Sequence, residues 1–360
     1  MDRYQRQMQI EEFGSEAQIK LSNASVLVIG AGGLGCPALL YLVGAGVGRI
    51  GIVDHDVVDI TNLHRQVIFL ENDILKNKSI IAAERLRSLN ANIQIEAFPY
   101  KIIPSNGIEL ISQFDMVLDG SDNMPTRYLL SDVCFALNKT LIQASIFKWE
   151  IQLMIFKPLN RFLKNLRQLY PFRKEQQHIP SCNINGVLGP VSGIAGTMQA
   201  LEAIKMITKI QDDVFDQILY FDARTLQSHF IEITEHLPME GLPKSLAAIR
   251  DHDYFESCVA NAYEIEWDEL IHQSKEKTFF ILNISSNSIK FSEIFSSYER
   301  CSPDALFPLV EKHSIEDIVI VCNKGISSKF YANQLKNKFP ARRFYSLKGG
   351  IESIEEMYES

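Results

Sequence analysis

Residues 25–35 read Ser25-Val26-Leu27-Val28-Ile29-Gly30-Ala31-Gly32-Gly33-Leu34-Gly35. The run Val26–Ile29 is apolar at every position, as a strand buried on both faces of a parallel sheet must be. The glycines that follow let the backbone turn tightly and approach a phosphate, which would face the N-terminus of the next helix. Pro37 sits in the first turn of that helix, where a missing N–H costs little. Gly44, Gly46 and Gly48 end the helix, and Ile50-Gly51-Ile52-Val53 forms the next strand. Asp54 closes that strand, where an acid can hold ribose hydroxyls. Strand, glycine turn, helix, strand and acid make a nucleotide-binding unit; a tight turn with no ligand is the alternative.

The same alternation continues outward. We expect a helix near 77–90, a strand near 93–99, a strand over Met116–Leu118, a helix near 125–137 and a strand near 140–146. This is a doubly wound α/β pattern with a mostly parallel sheet. Strands near 150–158, 217–222 and 226–234 extend it in antiparallel fashion, and Gly189–Thr208 reads as a long helix. A length of 360 residues suits two domains. We place the first at 1–237, a linker at 238–262, and a small α/β domain at 263–360 with core strands Phe279–Leu282 and Ile318–Val321.

Composition narrows the function classes. Hydrophobic residues are 46% and charged residues 22%, which is globular. A net charge of -8 argues against a nucleic-acid surface. No apolar run reaches the ~18 residues of a membrane span, and Met1–Arg6 contains no apolar signal core. The six cysteines are scattered with no CxxC pair, which excludes a disulfide scaffold. A cytoplasmic location is expected.

The residues around the glycine turn separate ATP from NAD. Asp54-His55-Asp56 is followed by Asn62, Arg65, Gln66 and then Lys78. Hydride transfer has no use for these cations. A triphosphate needs them to offset its charge and to stabilise departing pyrophosphate. Arg offers a planar fork to phosphate oxygens and Lys a point charge. Asp119-Gly120-Ser121-Asp122-Asn123 follows the Met116–Leu118 strand, so Asp122 lies at the carboxyl end of the sheet. An acid there suits Mg²⁺ bound with ATP. Taken singly, a solvated Arg65, a surface Lys78 or a capping Asp122 would be unremarkable.

Together with Arg3-Tyr4-x-Arg6-Gln7, the segments GAGGLG (30–35), DHDxVDxTNLHRQ (54–66), Lys78, DGSDN (119–123) and GVLGPVSGIAGTMQALEAIK (186–205) resemble the MoeB/ThiF family over roughly residues 1–235. These proteins are relatives of the ubiquitin-activating enzymes. The resemblance implies a Rossmann-like fold on which ATP is attacked at its α-phosphate by the C-terminal carboxylate of a ubiquitin-like sulfur carrier ending in Gly-Gly. Gly30, Gly32, Gly33 and Gly35 would then form the phosphate loop. Asp54 would contact ribose, with Asp56 and Gln66 beside the nucleotide. Asn62, Arg65 and Lys78 would handle phosphates, and Asp122 would be the Mg²⁺-linked catalytic acid. Arg6 would reach the ATP of a partner subunit, which implies a homodimer. The products would feed a molybdopterin or thiamin type of sulfur-inserting pathway. The rival readings are adenylation of a peptide in natural-product synthesis, a carrier-binding pseudoenzyme, and an NAD-dependent oxidoreductase.

Three features concern sulfur and zinc. Cys182 precedes the long helix and follows a polar, basic loop that includes Arg173 and Lys174. It reads either as a thiolate for covalent chemistry with the carrier or as a small packed cysteine. Relatives carry two CxxC pairs for a structural zinc. Here Asn165, Gln168, Leu237 and Glu240 occupy those places, so we expect no zinc. Val321-Cys322-Asn323-Lys324-Gly325, with Ser346-Leu347-Lys348-Gly349-Gly350, resembles a single rhodanese domain over 263–360 and implies that Cys322 carries sulfane sulfur. Asn323 and Ser327 stand where such loops have arginines, and Asn283-Ile284-Ser285 replaces an Asp-x-Arg. Losing those cations raises a thiol's pKa, so a scaffolding domain is the alternative.

Overall fold

A computed structural model of the chain describes residues 3–157, 160–171, 186–210, 216–252, 254, 263–285, 295–323, 325–339 and 341–359. It divides into two units, Met1–Phe255 and Glu256–Ser360.

In the first unit, helices α1 (Gln5–Met8) and α2 (Gly14–Asn23) precede β1 (Ser25–Ile29), α3 (Gly35–Ala45) and β2 (Arg49–Val53). Next come α4 (Lys78–Leu89), β3 (Gln94–Phe98), α5 (Pro104–Ser112), β4 (Met116–Asp119), α6 (Met124–Ala136) and β5 (Thr140–Phe147). The extension is β6 (Glu150–Phe156), α7 (Gly189–Thr208), β7 (Gln217–Asp222) and β8 (Gln227–Glu232). The eight strands lie in the order β3-β2-β1-β4-β5-β6-β7-β8. Pairings from β3 to β5 are parallel, and those from β5 to β8 are antiparallel. Strand order reverses between β1 and β4, and a crevice opens at their carboxyl ends.

Alternation along each strand feeds two cores. Val26 and Val28 pack on the α3/α7 side, whereas Leu27 and Ile29 pack with Val117, Leu129 and Leu141 on the α5/α6 side. Helices α2 and α5 escaped the pattern reading. Helix α5 starts with Pro104 and buries Ile108, Leu110 and Ile111 under a short polar-interrupted stripe. No helix among the described residues is long and apolar enough to cross a membrane.

The expected linker needs correction. Leu246–Asp251 is a helix, α8, capped by the Ser245 side chain, which accepts from the Ala248 N–H at 3.1 Å. It packs on α5 and α6 and buries Ile249 completely. Tyr254 is also fully buried and donates its hydroxyl to Asp132 at 2.7 Å. Two large apolar groups placed just after the proline-rich stretch dock this segment on the first unit; the sequence reading weighted Pro and Gly over them.

The second unit is a parallel sheet ordered β11-β10-β12-β13-β9. It comprises β9 (Tyr263–Ile265), α9 (Trp267–Gln273), β10 (Phe279–Asn283), β11 (Tyr298–Arg300), α10 (Leu306–Lys312) and β12 (Asp317–Val321). Then follow α11 (Ile326–Lys338), β13 (Arg343–Leu347) and α12 (Gly350–Glu359). Phe279 and Ile281 enter one core, and Phe280 and Leu282 the other, as a sheet covered on both faces demands.

Candidate nucleotide and acyl site

The loop after β1 is held open by backbone geometry. Gly30 has φ of 92°, and a Cβ there would lie 2.9 Å from the Gly120 carbonyl oxygen. A Cβ on Gly35 would lie 1.8 Å from the Gly30 carbonyl oxygen. A side chain at Gly30 would push apart the ends of β1 and β4, and one at Gly35 would push the start of α3 off the end of β1. The loop instead folds flat over the start of α3, whose dipole favours an anion.

Asp54 closes one side. Its carboxylate accepts from the Ala31 N–H at 2.8 Å and the Asp56 N–H at 2.9 Å, so the acid is tied to the glycine loop. Burial pushes this carboxyl up, and nearby Lys78 pulls it down. Lys78 opens α4 behind the N-cap Asn77, and its ammonium lies 3.3 Å from Asp56. Only 6% of Lys78 is exposed, so its charge is aimed inward and little screened by water. Arg65 donates to the Thr61 carbonyl at 3.0 Å and sits 2.7 Å from the His64 ring.

The opposite wall comes from β4 and α6. Asn123 caps α6 by accepting from the Thr126 N–H at 3.0 Å, which leaves Asp122 exposed at the mouth. Arg127, one turn into α6, donates to the Ser121 carbonyl at 3.1 Å. Helix α7 runs beneath both walls. A Cβ on Gly196 would lie 2.1 Å from the Leu34 carbonyl oxygen, so α7 packs backbone to backbone on the start of α3. Gln199, one turn along, donates to the Asp119 carbonyl at 2.8 Å and the Ile142 carbonyl at 3.1 Å.

These walls form one cleft that is open at its mouth. Gly30, Gly32, Gly33, Asp54, Asp56, Arg65, Gln66, Lys78 and Asp122 all line it. Other predicted residues lie elsewhere. Gly35 is buried behind the loop. Asn62 does not line the cleft; its carbonyl accepts the Arg65 and Gln66 N–H groups at 3.0 and 2.9 Å and so builds the turn that presents them. Arg6 is exposed on α1, outside its own chain's cleft. Cys182 lies outside the described residues. Sequence reasoning missed Arg127, although a cation four residues after a capping Asn shares its helix face and could have been flagged. Asp119 and Gln199 lie within quoted motifs without a role of their own, and Gln143 carried no pattern signal.

Cysteine chemistry differs between the units. Burial pushes the Cys36 thiol up to about 12, so it is no nucleophile. Cys322, at the end of β12, is 5% exposed. Its sulfur accepts from the Ser328 N–H at 3.3 Å and lies 3.2 Å from the Ser328 hydroxyl. That hydroxyl is 2.8 Å from the Ser346 hydroxyl, which donates to the Gly325 carbonyl at 3.3 Å. The sulfur therefore meets neutral donors.

Zinc does not suit the residues at its expected place. Asn165 and Gln168 are buried amides, Leu237 has no donor atom in its side chain, and Glu240 is exposed. The Gln168 amide accepts from the Lys164 and Asn165 N–H groups and donates across to the Leu237 carbonyl at 3.2 Å. Beside it, fully buried Arg167 and Asp132 pair at 2.7 Å.

The ThiF family pattern matches residues 4–240. The chain belongs to the ThiF family. Its similarity extends beyond that segment. It is 33% identical over 375 residues to the adenylyltransferase and sulfurtransferase MOCS3 of Drosophila sechellia, covering 98% of this chain and 82% of that protein. It is 38% identical over 237 residues to a sulfur carrier protein adenylyltransferase of Thermus thermophilus, covering 65% of this chain and 87% of that one. Among solved structures, E. coli MccB with ATP matches with a TM-score of 0.56 at 22% identity, over 67% of this chain and 74% of MccB. That likeness establishes the ThiF-like fold. With an adenylyltransferase and sulfurtransferase aligned over 98% of its length, this ThiF protein is an enzyme of the adenylyltransferase class.

Proposed function

We propose that the protein adenylates the C-terminal glycine carboxylate of a small ubiquitin-like sulfur carrier. The carboxylate oxygen attacks the α-phosphorus, the bond to pyrophosphate breaks, and an acyl-adenylate and pyrophosphate result. The observation that carries the reading is the meeting of Arg65, Lys78 and Arg127 around a glycine loop, with Asp122 at the mouth. Two anions cannot approach one another in a low-dielectric cleft without fixed positive charge, and preorganised charge of this kind lowers such barriers most. Gly32 and Gly33 would face the phosphates and Asp54 the ribose. Asp122 would hold Mg²⁺, which would supply further positive charge to the phosphate oxygens. Exposed Arg6 would complete the site of a second copy, making the enzyme a homodimer. The relatives named above favour a carrier protein over a peptide.

The second unit would act as a rhodanese-like domain in which Cys322 holds a sulfane sulfur. The Ser328 N–H supports this by donating a hydrogen bond to the sulfur. Its terminal sulfur would attack the acyl carbon and expel AMP. We further propose that the tail of the first unit holds no zinc and is closed by the Gln168 and Arg167 contacts, and that the enzyme works in the cytoplasm. ATP–pyrophosphate exchange with Gly-Gly-terminated carriers tests the central reading. Exchange that never appears, or that is unaltered by Asp122→Ala, overturns it.

A further inference from the structure

β4 and β5 run side by side, and their register sets Asp119 opposite Gln143. Register partners project from the same face of a sheet. Both side chains are fully buried, on the face that also carries Val117, Leu141 and Met154. Asp119 spends one carboxyl oxygen, Oδ1, on Ser121, accepting from its N–H at 2.9 Å and its hydroxyl at 2.6 Å. The other oxygen, Oδ2, has no hydrogen-bond partner, and neither polar atom of the Gln143 amide has one.

Buried polar groups left unmade are costly, and native proteins rarely keep three together. These three belong to neighbours on strands about 4.8 Å apart and are chemically complementary. A rotamer change in Gln143 brings its N–H to Oδ2, or its carbonyl to a protonated Oδ2. The Val, Leu and Met side chains around them offer no partner; Arg127, the charged neighbour of Asp119, has a buried Nε that is likewise unmet and competes with Gln143 for Oδ2.

We propose that Asp119 and Gln143 act as a buried positioning pair for the adenylation site. With Gln143 closed on Oδ2 and Ser121 held on Oδ1, the carboxyl can neither rotate nor release the turn that carries Asp122. The hold extends to Arg127, which donates to the Ser121 carbonyl. From the opposite face, Gln199 grips the Asp119 carbonyl and the Ile142 carbonyl of β5. The strand end is thus clamped on both faces three residues before Asp122. Neither Asp119 nor Gln143 lines the cleft, so both act through the turn. The effect on catalysis rests on the adenylation reading; the effect on the turn does not.

The test uses the full chain and two measurements. The first is amide hydrogen exchange across 119–123 without any ligand. Gln143→Leu, near in size but without donors, should speed exchange of the Ser121 amide about tenfold or more. Unchanged protection overturns the pair, whatever the enzyme's substrate. The second is ATP–pyrophosphate exchange with a Gly-Gly-terminated ubiquitin-fold protein that the wild type accepts. Gln143→Leu should lower kcat by about 10- to 100-fold, as misplacement of a reacting group does, with KM for ATP nearly unchanged. Asp119→Asn keeps the oxygen used by Ser121 and gains an N–H for Gln143, so it should retain most of the rate, whereas Asp119→Ala should not. In Asp119→Ala/Gln143→Leu the losses should fail to add, because one pair is broken twice. Additive losses, or an equal fall in kcat and ATP affinity, would refute the proposal. A wild type without exchange would sink the adenylation reading and leave the amide measurement to decide the pair.

Discussion

Arg167→Leu probes how the first unit closes without thiolate ligands. Arg167 is fully buried and grips Asp132 through Nε at 3.0 and 3.1 Å and through Nη2 at 2.7 Å, with its guanidinium 5.2 Å from the Tyr128 ring. Leucine removes the cation and leaves a carboxylate that water cannot reach. Breaking a buried pair in this way costs about 3–5 kcal/mol. Two neutral donors remain on Asp132, the Tyr254 hydroxyl at 2.7 Å and the Asn165 amide at 3.2 Å, which sets the loss near the lower end. At about 2–4 °C per kcal/mol for a unit of this size, the melting temperature should fall by about 6–15 °C. Thermal unfolding followed by circular dichroism measures it. Adding Asp132→Asn should recover more than half of the loss, because the amide needs no cation and still accepts from Tyr254. Wild-type protein dialysed against a chelator should melt where it did before. A shift below about 2 °C for Arg167→Leu would refute the reasoning, since it would put the pair under about 1 kcal/mol. Stoichiometric zinc, or a chelator-induced fall, would refute it from the other side.

Other outcomes are expected. Lys78→Ala should slow ATP–pyrophosphate exchange by about 10²- to 10³-fold, as loss of one preorganised charge does, and Lys78→Arg should restore little of it because the fork does not fit the space of a buried ammonium. Gly35→Ala should abolish ATP binding in calorimetry, because its Cβ would overlap the Gly30 carbonyl. Asp54 is useful to ribose as a carboxylate, and burial raises its pKa above the ordinary 3.8. Acidification should therefore raise KM for ATP at a higher pH than an exposed Asp would, and Asp54→Asn should raise KM at neutral pH and flatten that dependence. The same shift opposes stability: the folded state disfavours ionised Asp54, so this group's contribution falls as pH rises from 3.8 through its folded value. Cys36 should resist maleimide in the native protein and react after unfolding, read by peptide mass spectrometry. Ser328→Ala should reduce the yield of Cys322 persulfide after exposure to a sulfane-sulfur donor.

Much of this was legible because strand periodicity and glycine chemistry are local. The β1–α3–β2 unit, the boundaries of α7 and the strands of the extension all follow from runs of apolar residues bounded by Gly, Pro or charge. The cleft's cations were legible for another reason: several Arg, Lys and Asp residues behind a phosphate loop have few purposes. Less visible were contacts that depend on register and depth. Asp119 reads as one more acid in DGSDN, and only the pairing of β4 with β5 shows that it is buried against Gln143. Arg167 reads as a surface cation in a polar stretch, until Asp132 and Tyr254 come in from distant segments to neutralise and cover it. Asn62 was assigned to phosphate on its motif, yet its role in one chain is to shape the turn through its carbonyl.

Helix α7 touches the start of the phosphate loop's helix through Gly196 and the acid end of β4 through Gln199, one turn apart. It therefore works as a gauge block. Under the proposed function, the separation between the seat of the nucleotide and the seat of the incoming carboxylate would be set by a single rigid rod instead of by the loops that rim the cleft. Rim loops can drift in sequence and accept new acyl partners while the distance across which the bond forms stays the same. A bulkier residue at Gly196 would alter that distance for every partner at once.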